Sequence, residues 1–187
     1  MLRTDIPLER LSLLPFHVWN ERWFLLAAGE FGQPDSRADP AARRYNFMTV
    51  SWGGLGVMWG KPFALVVVRP TRHTRRFIDE ADSFTLSVLP EQHRRALNYC
   101  GSRSGRDEDK VKGSGLTPVS SRCVRAPSFD EAELVLECRK MYFSDLDPSH
   151  FLDPGIEKNY AARDYHRVYL GEILAAQGVD TWRGEPQ

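Results

Sequence analysis

The feature that most constrains this chain is its set of short apolar segments, which do not alternate regularly with long helical patterns. Residues 23–29 (WFLLAAG), 47–53 (FMTVSWG), 63–68 (FALVVV), 84–89 (FTLSVL), 133–138 and 166–173 (HRVYLGEI) all read as strands. The run 63–68 is apolar at every position and predicts a strand covered on both faces. In 84–89, Phe84, Leu86 and Val88 alternate with Thr85 and Ser87, as in a half-buried strand. Two short helices are expected. One spans 75–81, with Thr74 at its cap and Phe77 and Ile78 inward; the other runs from Glu91 to about Cys100, with Ala96, Leu97 and Cys100 on one side. A parallel βαβ sheet needs a long crossover after each strand, so the pattern predicts a mainly β fold, an antiparallel barrel with a few attached helices.

A length of 187 residues supports one packed core, and the chain reads as a single domain over 1–187, with an N-terminal extension at 1–22 and a motif-free tail at 175–187. Lys+Arg and Asp+Glu both number 25, so no global field draws it to nucleic acid or to an anionic membrane. Any bound anion must be held by a local arrangement. The three cysteines, Cys100, Cys123 and Cys138, contain no CxxC pair, which suggests neither a disulfide framework nor a zinc site and fits a reducing cytoplasm. No apolar run of about 18 residues is present and none follows the first charges, so neither membrane spanning nor export is expected. Residues 30–44, rich in Gly, Pro, Asp and Arg, read as a surface loop, and Gly53, Gly54 and Gly56 as a bend.

Four clusters can carry chemistry. Arg69, Thr71, Arg72 and Thr74 lie where a buried strand meets a helix start, an arrangement able to surround a phosphate; equally, Thr74 caps the helix and the arginines are solvated. Residues 100–110, with Gly105 and Lys110, resemble a phosphate-cradling loop but lack the P-loop order, and nothing that reads as a helix follows them. Along Met48, Thr49, Val50, Ser51 and Trp52, small hydroxyls alternate with larger groups, so a planar ligand can lie there, although aromatic residues near strands commonly serve the core. His166, before the last strand, can titrate near neutral pH, orient a substrate or close a strand end. The histidines form no HExxH pair and the aspartates of 145–153 do not match an EF-hand, so no metal centre is expected.

In their order, MTVSWGG at 48–54, WGKP at 59–62, VRPTRHT at 68–74, SGRDEDK at 104–110, and Asp164 and His166 ahead of Gly171 and Ile173 resemble the flavin-reductase-like FMN-binding split-barrel family. The resemblance implies a Greek-key-like split barrel and a homodimer with FMN at its interface. It implies that Met48 to Trp52 follow the isoalloxazine ring, with the Thr49 and Ser51 hydroxyls at its pyrimidine edge. Thr71 and Thr74 would meet the FMN phosphate, Arg69 or Arg72 neutralise it, and Gly105 and Lys110 add phosphate or ribityl contacts. His166 would be the catalytic histidine, positioned near flavin and nicotinamide. The implied activity is hydride transfer from NADH or NADPH to FMN, with electrons leaving to a small acceptor or a partner oxygenase. The alternatives are a non-catalytic FMN-binding or flavin-carrier protein, or a barrel adapted to heme or a deazaflavin. The bulk of Trp52 to Trp59 departs from the family pattern and would narrow access to the flavin.

Overall fold

The computed structural model describes residues 2–32 and 43–185; of the expected 30–44 loop, residues 33–42 lie outside the described ones. In chain order the elements are β1 (Thr4–Ile6), α1 (Pro15–His17), β2 (Phe24–Gly29), β3 (Tyr45–Val50), β4 (Gly53–Met58), β5 (Lys61–Val68), α2 (Thr74–Glu80), β6 (Ser83–Val88), α3 (Arg94–Ser102), α4 (Lys110–Ser114), β7 (Pro118–Val119), β8 (Ser128–Phe129), β9 (Leu134–Asp145) and β10 (Arg167–Gly178). One eight-stranded sheet runs β3-β2-β6-β9-β10-β5-β4, with β1 against β10, and every pairing in it is antiparallel. The architecture is mainly β with short helices.

The sheet bends around β9 and β10, each 12 residues long. Register shifts between Leu170 and Gly171 and between Ile173 and Ala175 break their ladder. Such irregularities bend a strand and increase its twist. The first half of β10 can then pair with β5 while its end pairs with β1. Gly171 is required at the bend: a Cβ there would lie 2.5 Å from Cε1 of Phe84. The interior holds Leu26, Met48, Val66, Phe84, Leu136 and Tyr169. A second cluster, with Leu25, Phe47, Leu97, Cys100 and Phe129, lies between the outer sheet face and α3.

Several expectations change. Strand β6 is buried at all six positions, because the segment containing Pro127 and Phe129 covers its polar face too; Thr85 Oγ1 donates there to the Pro127 carbonyl at 2.5 Å. Conversely, β5 is covered on one face only, with Ala64, Val66 and Val68 buried and Phe63, Leu65 and Val67 half-buried. Gly53, Gly54 and Gly56 are not a bend but part of β4, paired with Val66, Leu65 and Phe63. The turn lies later, at Trp59 and Gly60, whose φ of 55° and 69° match a two-residue hairpin with both central residues left-handed. Thr74 starts α2 instead of capping it. A helix does follow the 100–110 loop: Asp109 accepts from the Val111 and Lys112 amides, and Gly115 at φ 70° closes α4. β10 also continues past Ile173 to Gly178.

Candidate functional site

Where β5 ends at Val68 the chain turns through residues 69–73 into α2, and this turn faces the loop that leaves α3. Asn46 and Met48 of β3 form the floor between them, enclosing a cavity of about 440 Å³. It is lined by seven predicted residues, Met48, Arg69, Thr71, Arg72, Thr74, Gly105 and Lys110, joined by Asn46, His73, Arg106 and Asp164.

The two walls clasp each other: Arg72 Nη1 donates to the Gly101 carbonyl at 2.8 Å and Arg106 Nη1 to the Thr71 carbonyl at 3.1 Å. A guanidinium carries five donors, so both arginines keep N–H groups for a ligand. Thr74 is buried, and its Oγ1 accepts from Asn46 Nδ2 at 3.0 Å, which leaves its own proton to donate. Gly105 lets the loop close on Asn46, since a Cβ there would sit 2.6 Å from Asn46 Oδ1.

The electrostatics favour an anion. Lys110 is buried with no carboxylate partner among the described residues; its Nζ donates to the Phe47 and Cys100 carbonyls at 2.6 and 2.8 Å, and burial lowers its pKa to about 8. His73 Nδ1 is buried without a hydrogen-bond partner among the described residues. Burial first, then Arg106, Arg76 and Lys110, push the His73 pKa down, outweighing Asp107, a carboxylate that also lines the cavity. A positive field, a buried hydroxyl with a free proton and a cradle that a Cβ would fill together fit a phosphate monoester.

Beside the cavity, Arg69 donates to Asp164 Oδ1 at 2.7 Å and to the Asn159 carbonyl at 2.9 Å. This pairing holds the Asp164 carboxyl below its usual range. Arg72 and Arg106, which have no carboxylate on them among the described residues, are therefore freer than Arg69 to meet an anion. His166 is buried next to this pair, its Nδ1 2.9 Å from the Tyr160 hydroxyl and its ring 5.3 Å from that of Trp52. Burial, reinforced by Arg69 and opposed by Asp164, lowers its pKa to about 4. Of the three roles open to it, titration near neutrality is the one this burial disfavours, since it keeps His166 neutral at ordinary pH.

Residues 36–185 match the family described as Flavin reductase like domain. The chain belongs to this family. An uncharacterised protein of Pyrococcus abyssi (strain GE5 / Orsay) is 29% identical over 133 residues, 70% of this chain but 64% of that protein, so the chain spans less than two thirds of the relative's length. Among solved structures, the FMN-binding domain of a flavin reductases-like enzyme from Shewanella baltica OS155 superposes with a TM-score of 0.65 at 16% identity, covering 95% of this chain and 77% of that one. Flavoredoxin of Desulfovibrio vulgaris (Miyazaki F) gives 0.62 at 24% identity, covering 91% and 73%. The antiparallel sheet with few short helices is the split-barrel fold of these flavin-reductase-like proteins.

In this flavin-reductase-like chain the β3 residues divide. Met48 and Val50 face the interior. Thr49 points the other way and donates from Oγ1 to the Leu97 carbonyl at 2.5 Å, so its hydroxyl holds β3 to α3 instead of sharing a ligand edge with Ser51. Ser51 and Trp52 lie past the strand end, Ser51 half-buried and Trp52 47% exposed. Trp52 packs on His166, whereas Trp59 stands 63% exposed at the hairpin tip. Asn46, His73 and Arg106 stand in or beside the sequence clusters but were given no role there, and Tyr160 stands in none of them. Asn46 had a signal, a polar residue in register with Met48 and Val50 on an apolar face. Tyr160, in the segment between β9 and β10, had none.

Proposed function

We propose that this chain binds FMN and acts as an NAD(P)H-dependent flavin reductase, a cytoplasmic homodimer built from one domain over 1–187. The observation that carries the reading is the convergence of Thr71, Arg72, Thr74, Gly105 and Lys110 on one positively polarised cavity floored by Met48. The Thr74 proton and the remaining N–H groups of Arg72 and Arg106 would hold the phosphate. Met48, which lines the cavity, offers an apolar floor to the ring, and Trp52 with His166 borders its approach. When bound, FMN supplies the ring that accepts a hydride and passes electrons onward. The protein needs no nucleophile for that transfer; its residues orient two planar molecules and exclude water.

The outer face of β4 and β5 supports self-association. Phe63, Leu65 and Val67 are half-buried there, and Met58 is 41% exposed. Gly54, with no heavy atom within 4 Å of where its Cβ would be, keeps this face flat. Flat apolar stripes of this kind mark interfaces. A small-molecule acceptor or a partner oxygenase would take the electrons. The test is the visible spectrum of FMN-loaded, desalted protein, followed anaerobically on adding NADH and then NADPH. Bleaching is expected and names the donor. A flavin spectrum unchanged by both donors would assign a flavin carrier instead, and no retained flavin would reject the FMN site.

A further inference from the structure

Tyr160 follows the 3-10 turn Ile156–Asn159 and is only 5% exposed. Its ring packs against two neighbours. Phe151 stacks on it with centroids 5.9 Å apart and planes 18° apart, and the Arg69 guanidinium lies 5.0 Å from its centroid. Arg69 is itself pinned by Asp164 and the Asn159 carbonyl. These contacts and its burial keep the phenol against His166 Nδ1, 2.9 Å distant. It has one proton to give and no other acceptor among the described residues, and an imidazole lone pair accepts better than a phenol oxygen. The bond is then O–H···Nδ1, which leaves the proton of the neutral ring on Nε2. The charged groups around the ring are Arg69, Asp164 and Arg72. None of them hydrogen-bonds to the imidazole, and no described residue bonds to Nε2.

We propose that Tyr160 is a positioning residue that holds His166 in the neutral Nε2–H tautomer, presenting a fixed hydrogen-bond donor to a carbonyl-type oxygen of the molecule bound beside it. That the molecule is the flavin or its reductant rests on the function proposed above; the tautomer does not. The arrangement selects for substrates that bring an acceptor to this point and against those that bring only a donor, because a donor would face the Nε2 proton unpaired.

The test is ¹⁵N NMR of the imidazole nitrogens in ligand-free protein near pH 7, with His166 assigned from the signals lost in His166→Gln. The wild type is expected to show Nε2–H as the predominant tautomer, and Tyr160→Phe to lower the ratio of Nε2–H to Nδ1–H by roughly fivefold, the effect of one net hydrogen bond. Predominant Nδ1–H in the wild type, or a ratio unchanged in Tyr160→Phe, overturns the proposal. Because no flavin is present, these outcomes are separate from any failure of the flavin reading. Should Tyr160→Phe not fold, the wild-type Nδ1 resonance decides: displaced from that of an unbonded pyridine-type nitrogen it supports the O–H···Nδ1 bond, and undisplaced it overturns the proposal. In FMN-loaded protein the same variant should lower the reduction rate several-fold with FMN affinity kept; weaker FMN binding with the tautomer unchanged would make Tyr160 merely structural and reject it.

Discussion

Exchange of His166 for glutamine should remove a measurable part of the acid sensitivity of folding. In the folded chain burial holds the imidazole neutral down to about pH 4, whereas the unfolded chain takes up a proton near the ordinary 6.5. Between those values the unfolded state binds the extra proton, so stability is lost as the pH falls; above 6.5 neither state binds it and the contribution vanishes. At roughly 1.4 kcal/mol for each pH unit separating the two, the wild type should lose about 3 kcal/mol through this group between pH 7 and pH 4. The glutamine side chain cannot titrate, so the variant should lack that slope whatever its absolute stability. Urea unfolding at half-unit pH steps for both proteins gives the difference curve directly. Parallel curves from pH 7 to pH 4 would refute the argument that His166 is buried neutral.

Three further outcomes follow from contacts in the fold. Gly171→Ala would drive a methyl group against Phe84 and to 2.9 Å from Cys138 Cβ, so denaturant unfolding should show a loss of about 2 kcal/mol or more; an unchanged midpoint would contradict the packing at the β10 bend. Gly105→Ala would displace the Asn46 amide and its bond to Thr74, weakening FMN binding by about tenfold in a fluorescence titration, and unaltered affinity would remove that loop from the site. Thr49→Val should cost about 1 kcal/mol of stability through the lost bond to Leu97 yet leave FMN affinity intact. Affinity falling with it would return Thr49 to the ligand edge.

Strand positions were readable because period-2 alternation is local: β2, β5, β6 and the start of β9 appear where the apolar runs stand. What covers each face was not readable, because it depends on segments distant in the chain. Thr85 and Ser87 suggested a wet face for β6, and the layer around Phe129 closed over it. The uniformly apolar β5 suggested two covered faces, and one is only partly covered. The phosphate-type cavity was legible through contiguous motifs such as VRPTRHT, but its electrostatic character was not: that Arg69 is occupied by Asp164, and that Lys110 is tied to two carbonyls, are consequences of tertiary packing. Tyr160 was invisible for the same reason, since only the fold brings it to His166.

The central place of β10 has a consequence for how the chain reaches its native state. Thr4 pairs with Gly178, and the partners of β5 lie about a hundred residues further on, so both waiting strands keep unsatisfied edges until β10 arrives. Little of this closure can be won by local contacts, and the loop entropy must be met before the sheet returns any of it. Refolding should therefore be slow and concentration-sensitive, with the β4–β5 hairpin as the surface most exposed to capture by another unfinished chain.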